Sequence, residues 1–175
     1  MIETYKVFNR NIFNDNRGSL SETFKQSEFE KQLKIKVNFV QDNFVESHKN
    51  VLRGLHYQSA PKTQGKYISV LQGDIFDVIV DIRKYSNNYG KWYGFNLSSL
   101  NANSLWVPNG FAHGFLTLSE KSIVLYKLTD FYSKTHDRSI RWDSKTLAIN
   151  WPNSKKILLS EKDKLAKEFN KNIFL

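Results

Sequence analysis

Apolar and polar residues alternate in short stretches along most of the chain, and this period of two is typical of β-strands with one buried face. The clearest stretch is Ile75–Ile82, in which Asp77 and Asp81 stand between β-branched and aromatic residues. Comparable stretches predict strands at residues 5–13, 19–24, 37–43, 51–58, 66–72, 92–97, 104–107, 113–118 and 122–131. Turns rich in Asn, Asp and Gly separate them about every ten residues, so the chain is predicted to form an antiparallel β-barrel or sandwich.

Two segments depart from this alternation and predict short helices. Ser27 followed by Glu30 is a capping-box pattern, and helical spacing of apolar residues continues from there to about Lys36. Near the end of the chain, Ser160 precedes a second stretch with an apolar side. No repeat, low-complexity tract or linker interrupts the 175 residues, which predicts one domain over residues 1–175.

Composition narrows the class of protein. The sequence has no run of 18 apolar residues that would suggest a membrane span, and Met1–Lys6 lacks the apolar core of a signal peptide. It contains no Cys, so disulfides and thiolate metal sites are excluded. The expected location is therefore the cytoplasm.

The chain carries 26 Lys and Arg against 17 Asp and Glu, a formal net charge of +9. A basic balance is compatible with nucleic acid, with a small anionic substrate such as a nucleotide sugar, or with a Lys-rich surface that binds no partner. Charge alone leaves these three readings open.

The first candidate for chemistry is the stretch Val51–Lys66. Arg53, His56 and Lys66 fall within fourteen residues, and glycines separate them. His56 lies in a predicted strand and could be a core histidine with a satisfied hydrogen bond. Cations seldom cluster in buried strands without an anion, however, so a base placed between two cations indicates chemistry on an anionic substrate.

A second histidine, His113, follows a Pro-x-Gly turn in Trp106–Phe115, and this pattern resembles the second signature of the cupin superfamily. In metal cupins that His is a ligand, joined by two His and a Glu from an earlier signature. Here the earlier stretch has only His56, and Gln58 stands where a second His would be. A catalytic metal site needs about three protein ligands, so a metal-independent site is predicted.

Tyr126 and Asp163 each admit two readings. Tyr126 lies in an alternating strand, either as an ordinary barrel-lining aromatic or as a proton donor. Asp163 follows Ser160 by three residues and either completes a helix start or orients a histidine through its Nδ1–H. Local sequence does not decide between these readings.

Taken together, these stretches resemble the dTDP-4-dehydrorhamnose 3,5-epimerase family of nucleotide-sugar enzymes. The resemblance follows nearly the whole chain in order, at residues 17–18, 39–43, 51–58, 64–66, 73–78, 80–83, 106–108, 110–115, 140–143, 151–152 and 159–163. It implies a mainly β fold, a cupin or jelly-roll antiparallel β-barrel with a few short peripheral helices. It also implies inversion of C3 and C5 in a nucleotide-linked 4-keto-6-deoxy sugar.

The resemblance implies a role for each of four catalytic positions. His56 corresponds to the base that removes protons beside the 4-keto group, and Asp163 to its partner. Tyr126 corresponds to the acid on the opposite face, and Lys66 to the cation that stabilises the enolate. The implied chemistry needs no redox cofactor, because the carbonyl itself accepts the electron pair.

Further positions correspond to residues that hold the nucleotide diphosphate and sugar: Arg17, Glu22, Gln41, Asp42, Asn43, Arg53, Lys66, His113, Asp137 and Lys162. At position 137 the family commonly has Glu, so the shorter Asp137 is a departure. Family members are usually homodimers in which N-terminal strands join the partner's sheet, and the same is expected here. No nucleic acid and no membrane are expected as partners.

Residues 44–50 and the pair Lys62-Thr63 also depart from the family pattern near the nucleotide-binding positions. This leaves open the nucleotide base, the length of the sugar and the number of carbons that are inverted. The alternatives are a single-site epimerase or a ketoisomerase acting on another nucleotide-linked 4-keto sugar, such as a GDP-heptose. A non-catalytic protein that binds sugar nucleotides or nucleic acid is a further alternative.

Overall fold

The structure is a computed structural model that describes residues 4–152, 156–170 and 172–175. Within those ranges the chain forms twelve β-strands and two α-helices. The elements are β1 Lys6–Asn9, β2 Ile12–Asp15, β3 Gly18–Ser21, α1 Gln26–Leu33, β4 Gln41–His48, β5 Leu52–Gln58, β6 Lys66–Gln72, β7 Asp74–Asp81, β8 Trp92–Ser98, β9 Asn103–Val107, β10 Phe111–Thr117, β11 Lys121–Leu128, β12 Asp137–Ser139 and α2 Glu161–Lys164.

Ten of these strands form two five-stranded antiparallel sheets. The first sheet has the order β1-β9-β6-β11-β4, and the second has the order β12-β5-β10-β7-β8. From β4 to β7 the chain crosses from one sheet to the other at each step. This exchange between two facing sheets is a jelly roll, so the mainly β cupin-type fold predicted from the sequence is confirmed.

The second sheet is covered on both faces. Ile75 and Ile79 of β7 join a core with residues of the first sheet, whereas Val78 and Val80 pack on the other side against a core that includes Phe169. Because side chains alternate along a strand, this double cover explains why β7 is apolar at most positions. It also places Asp77 on the inner face, which Ile75 and Ile79 share.

Helix α1 covers the outer face of the first sheet. Its Phe29 packs edge to face against Trp106 and Tyr67 in a third cluster. The predicted bounds were wrong by a few residues at each end. The helix starts at Gln26 after Lys25, which makes no side-chain cap, and it stops when Lys34 takes a left-handed conformation with φ of 56°. That reversal lets the chain turn back so that Val37 packs against the same cluster.

Four strand predictions also need correction. The predicted strand 19–24 is β3, which ends at Ser21. The predicted strand 37–43 is instead β4, which starts at Gln41 and continues to His48. Its outward-facing Phe44 is 62% exposed, and this breaks the expected alternation of apolar and polar residues. Residues 5–13 form two strands instead of one, β11 ends at Leu128 before reaching residue 131, and the short β12 was not predicted.

Helix α1 has eight residues and α2 has four. Neither these nor any other helix in the described ranges has the length and apolar character needed to cross a bilayer.

Candidate active site

A cavity of about 530 Å³ opens between the two sheets. The C-terminal segment, residues 156–170, closes one side of it with residues between Leu158 and Asp163. Strand register explains which side chains reach it. Tyr126 lies opposite Ile68, and Lys66 opposite Leu128, so these residues share the face of the first sheet that includes the core residue Ile68. On the second sheet, His113 lies directly opposite His56. The two sheets therefore bring different functional groups to one space.

His56 and Asp163 form an ion-pair contact, with 2.5 Å between Nε2 of the imidazole and Oδ1 of the carboxylate. The carboxylate is 3% exposed, and its Oδ2 accepts a hydrogen bond from the Ser160 hydroxyl at 2.9 Å. Burial alone would raise the pKa of Asp163. The hydrogen bond and charge of His56, together with the Ser160 hydroxyl and the Gly54 N–H, hold that pKa below its usual value. The carboxylate therefore stays ionised beside the ring.

Asp163 combines the two features that the sequence suggested as alternatives, a place at the start of a helix and a contact with a histidine. The Ser160 hydroxyl accepts the Asp163 backbone N–H at 3.2 Å as the N-cap of α2, and the side chain reaches His56. The expectation that the carboxylate would contact Nδ1 was wrong. Asp163 comes from a segment outside the β5 ladder and meets the far edge of the ring, where Nε2 lies. Among the described residues Nδ1 has no hydrogen-bond partner, so it is the nitrogen available to a substrate.

Lys66 stands at the start of β6 on the opposite sheet. Burial lowers the pKa of Lys66 to about 8, against the attraction of Asp77 and Asp137 and with a small further decrease from Lys162. No hydrogen bond or ion pair joins its ammonium to another group in the part of the chain that the structure describes. A cation desolvated in this way is prepared to meet an anion that arrives with the ligand.

A second histidine–carboxylate pair lies next to the first. His113 Nε2 is 2.8 Å from Asp77 Oδ2, and both side chains are buried. Burial lowers the pKa of His113, the charge and hydrogen bond of Asp77 oppose this shift, and the charges of Lys66 and His56 add to it. The other oxygen of Asp77 is buried without a hydrogen-bond partner among the described residues. His113 is thus held as a neutral ring beside the cavity.

Asp77 lies in one of the stretches that resemble the family, but the sequence indicates no role for it. The signal was an acidic residue in the middle of a strand that is apolar between Asp74 and Asp81 at its two ends and has both faces buried, because such a carboxylate needs a partner.

Tyr126 lies in β11 between β4 and β6, with its ring against the core between the sheets. Its hydroxyl forms no hydrogen bond with the other described residues, although the side chain lines the cavity. The ring serves as a lining aromatic, and the phenol is available as a proton donor. The two interpretations made from the sequence are therefore compatible.

The predicted binding residues divide into two groups. Asn43, Arg53, Asp137 and Lys162 line the cavity with His113 and Lys66, and Gln41 donates to Asn43 Oδ1 at 2.9 Å beside it.

The other three predicted binding residues point away from the cavity of the single chain or lie far from it. Asp42 faces outward on β4, because it alternates with Gln41 and Asn43, and it binds Lys127 at 2.9 Å. Arg17 is 85% exposed in the β2–β3 turn and pairs with Asp15. Glu22 lies beside α1, within 3.8 Å of Lys25.

The mouth of the cavity contains a residue that the sequence reasoning missed, Tyr132. Its hydroxyl donates to Asp137 Oδ2 at 3.1 Å, and Lys162 Nζ lies 2.5 Å from the same oxygen. Partial burial, followed by the hydrogen bond and negative charge of Asp137, raises the pKa of Tyr132. No sequence signal marked this residue, since it follows the predicted strand 122–131 at the start of a polar loop.

The described residues contain no group of three His, Cys, Asp or Glu side chains placed to share a metal ion. His56 and His113 are each joined to a carboxylate instead. Gln58, at the position of a second cupin histidine, hydrogen bonds to backbone atoms.

Comparison with known proteins places the chain in a family. The sequence model of the dTDP-4-dehydrorhamnose 3,5-epimerase family matches residues 1–171. The chain is 50% identical over 157 residues to the dTDP-4-dehydrorhamnose 3,5-epimerase of Shigella flexneri, and this alignment covers 90% of the chain and 86% of that protein.

Solved structures agree with this. The dTDP-6-deoxy-D-glucose-3,5-epimerase RmlC of Legionella pneumophila, in complex with dTDP-4-keto-L-rhamnose, is similar with a TM-score of 0.91 and 46% identity over 97% of this chain and 88% of that one. ChmJ, a 3′-monoepimerase of Streptomyces bikiniensis in complex with dTDP-quinovose, is similar with a TM-score of 0.89 and 27% identity over 97% of this chain and 84% of that one. The chain belongs to the dTDP-4-dehydrorhamnose 3,5-epimerase family.

Proposed function

We propose that the protein inverts C3 and C5 of dTDP-4-dehydro-6-deoxyglucose to give dTDP-4-dehydrorhamnose. Its family and its relative from Shigella flexneri carry the name dTDP-4-dehydrorhamnose 3,5-epimerase. The observation that carries the proposal is the placement of His56 and Tyr126 on opposite sheets of one cavity, with Asp163 on the histidine and Lys66 nearby.

Proton removal falls to His56. With Nε2–H donated to the ionised Asp163, the lone pair of Nδ1 can accept the hydrogen on the carbon beside the ketone. The C–H bond breaks, its electron pair forms a carbon–carbon double bond, and the carbonyl π electrons move to oxygen as an enolate. Asp163 stabilises the imidazolium that results.

Lys66 stabilises the charge that develops on the enolate oxygen. It is desolvated and has no partner among the described side chains, so its interaction with that oxygen is not divided with a resident carboxylate. Preorganised charge in a site shielded from water contributes strongly to catalysis of this kind.

Inversion requires the new proton to arrive from the face opposite the base. Tyr126 comes from the first sheet, and His56 comes from the second, so a sugar ring between the sheets would meet them on different faces. The Tyr126 hydroxyl gives its proton to the carbon as the double-bond electrons return from the enolate. Carbon is neither oxidised nor reduced overall, so the reaction needs no redox cofactor.

Arg53 and Lys162 supply positive charge in the same cavity for a diphosphate. Arg53 already binds Ser47 Oγ at 3.0 Å and the Glu46 carbonyl at 3.1 Å, contacts that orient its guanidinium before a ligand arrives. An oriented guanidinium suits phosphate oxygens because its donors form a rigid fork.

We further propose a homodimer, in which the hairpin β2–β3 of one chain reaches the partner. In the described residues this hairpin pairs with no other strand, and it exposes Phe13 and Leu20 by 56% and 63%. The edge strand β4 exposes its own Phe44. This arrangement would move Arg17 of the hairpin towards a second cavity. The cytoplasmic location expected from the sequence stays a prediction, to be tested by cell fractionation.

The test is incubation of the protein with dTDP-4-dehydro-6-deoxyglucose in D₂O, followed by NMR. We expect deuterium at both C3 and C5, and we expect none with His56→Ala, the fold of which is checked by circular dichroism. Exchange that persists in His56→Ala would refute the base assignment. No exchange with this substrate or with any other 4-keto nucleotide sugar would refute an epimerase.

The leading alternative is a single-site epimerase, favoured by the structural similarity to the 3′-monoepimerase ChmJ. Deuterium at C3 alone would identify it. A product with a displaced ketone would indicate a ketoisomerase, and exchange restricted to a GDP-linked substrate would correct the nucleotide. Binding without exchange would indicate a non-catalytic protein.

A further inference from the structure

Gln58 is the last residue of β5 and is 4% exposed. It lies two residues beyond His56, so both side chains leave the strand on the same face, and both line the cavity. Its carboxamide is fully engaged with main-chain atoms. Nε2 donates to the Lys62 carbonyl at 2.6 Å and to the Phe131 carbonyl at 3.2 Å, and Oε1 accepts the Ser133 N–H at 2.6 Å.

These three contacts join two loops that form the mouth of the cavity, residues 59–65 and residues 129–136, here called the rim. The two loops also meet through Lys62 and Asp130 at 3.3 Å, and through Gln64 Nε2 and the Asp130 carbonyl at 2.8 Å. Lys62 is 44% exposed in its side chain, so its ion pair contributes little. The Ser59 N–H also donates to the His136 carbonyl at 2.9 Å, the Thr129 N–H to the Gly65 carbonyl at 3.1 Å, and the Gly65 N–H to Thr129 Oγ1 at 2.8 Å. Gln58 adds to these a buried side chain that binds both loops at once.

The contacts of Gln58 lie on either side of Tyr132. One is made to the carbonyl of Phe131 and one to the N–H of Ser133. Phe131 and Tyr132 are 61% and 57% exposed, so packing in the core does not fix their rings. The backbone around Tyr132 is therefore held by hydrogen bonds, of which those from Gln58 are shielded from water.

Tyr132 in turn orients charged groups of the cavity. Its hydroxyl donates to Asp137, which also binds Lys162, a residue expected to hold the nucleotide sugar. A shift of the Tyr132 backbone would move this hydroxyl and alter the shared contact. The reacting groups His56 and Tyr126 lie on strands and do not depend on the rim.

We infer that Gln58 is a positioning residue that fixes Tyr132 and the rim, and thereby sets the affinity for the nucleotide sugar without taking part in proton transfer. The inference rests on the proposed function for the identity of the ligand. Its amide has no free N–H for a substrate, because both hydrogens and the oxygen are already engaged.

The test compares Gln58→Met, which keeps the length of the side chain and removes its hydrogen bonds, with Gln72→Met, an exposed glutamine at the end of β6. We expect Gln58→Met to raise KM and the Kd for dTDP about tenfold, the loss expected for one to two neutral hydrogen bonds, with kcat within about threefold and an unchanged pH profile. Gln72→Met should match the wild type in every measurement.

A double-mutant cycle separates positioning from a general loss of structure. Tyr132→Ala alone should weaken dTDP binding, and adding Gln58→Met to it should cost much less than in the wild-type background, because the residue that Gln58 positions is already gone. If Gln58→Met does not fold, unchanged dTDP affinity in Tyr132→Ala still overturns the inference, and weakened affinity in a folded Tyr132→Ala supports it.

The other possible results of these measurements each assign a different role to Gln58 or test the proposed function. A fall in kcat with unchanged KM would assign Gln58 to the chemistry, and unchanged kinetics in a folded variant would remove any role. If the wild type binds dTDP but exchanges no deuterium, the proposed function fails while the binding result for Gln58 stands. If the wild type does not bind dTDP, both fail.

Discussion

Lys66, the cation proposed to stabilise the enolate, is expected to favour activity at the expense of stability. Burial places its folded-state pKa near 8, below the ordinary 10.5, so folding disfavours the charged form. The unfolded chain then binds more protons between these two values, and stability should rise as pH increases from about 8 to about 10.5. At neutral pH the full destabilisation is present.

We therefore expect Lys66→Met to abolish proton exchange while increasing the free energy of unfolding by about 1–3 kcal/mol at pH 7, given that one pKa unit corresponds to about 1.4 kcal/mol. Denaturant unfolding measures the stability, and NMR measures the exchange. Lys31→Met, an exposed lysine on α1, serves as the control and should change neither. A less stable Lys66→Met would contradict the account of Lys66 as a desolvated, unpaired cation.

The same residue predicts the alkaline limb of the activity profile. Only the protonated amine can stabilise an enolate by its charge, so kcat/KM should fall as pH rises through about 8. In a Lys66→Arg variant that retains activity, the limb should move to much higher pH, because guanidinium stays charged. The measurement is kcat/KM across pH 6–10, and an unmoved limb would assign the titration to another group.

Part of the candidate site could be predicted from the sequence. His56 and Lys66 share one short stretch whose cations suggest an anion. For Tyr126 and Asp163 the residues left two readings open, and only the family resemblance chose between them. The contacts of Gln58 and Tyr132 could not be read from sequence. They depend on where two distant loops meet, and single-residue patterns do not encode that distance.

At the scale of elements, most strands were predictable because one face of each is buried and the period of two is strong. The predictions failed where the local pattern of apolar residues does not match what the segment packs against in the fold. The outward Phe44 hid the length of β4, and the reversal at Lys34 ended α1 early so that Val37 could return over the sheet. Strand β12 is three residues long and carries too little pattern to detect.

The C-terminal segment is the element that brings Asp163 to His56. It is attached to β5 through the Leu52 N–H and the Leu158 carbonyl at 3.0 Å, and its Phe169 is 4% exposed in the core beside Tyr89. Two attachments therefore fix the position of the Asp163 carboxylate: the hydrogen bond of Leu158 to β5 before α2, and the packing of Phe169 after it.

We expect Phe169→Ala to lower the free energy of unfolding by about 3–5 kcal/mol, as for other buried Phe truncations, and to reduce kcat because Asp163 is less firmly placed. Phe174→Ala, at a ring that is 42% exposed, should cost much less. Denaturant unfolding and steady-state kinetics provide the comparison. Equal losses for the two variants would show that Phe169 is no special anchor.

At the scale of the whole molecule, the single chain leaves its hairpin β2–β3 uncovered. Phe13 and Leu20 face each other across the hairpin and form an exposed apolar pair. A single hairpin is marginally stable in water, so it is expected to gain cover from a second copy of the chain.

Leu20→Glu should therefore shift the protein from dimer to monomer in sedimentation velocity and weaken dTDP binding, because the proposed dimer brings Arg17 to the partner's cavity. Leu100→Glu, at a leucine that is 87% exposed in the turn between β8 and β9, is the matched control and should leave both properties unchanged. A wild-type monomer, or a dimer unaffected by Leu20→Glu, would contradict the arrangement.

The placement of His56 and Tyr126 on separate sheets has an isotopic consequence. In such a two-base arrangement, the hydrogen taken from carbon and the hydrogen returned to it belong to different groups with separate access to solvent. The hydrogen removed from one face of the carbon therefore cannot be the hydrogen that is added to the opposite face. Each inverted centre of the product should carry a hydrogen from water, whereas substrate that His56 reprotonates before its imidazolium exchanges with solvent should keep its own.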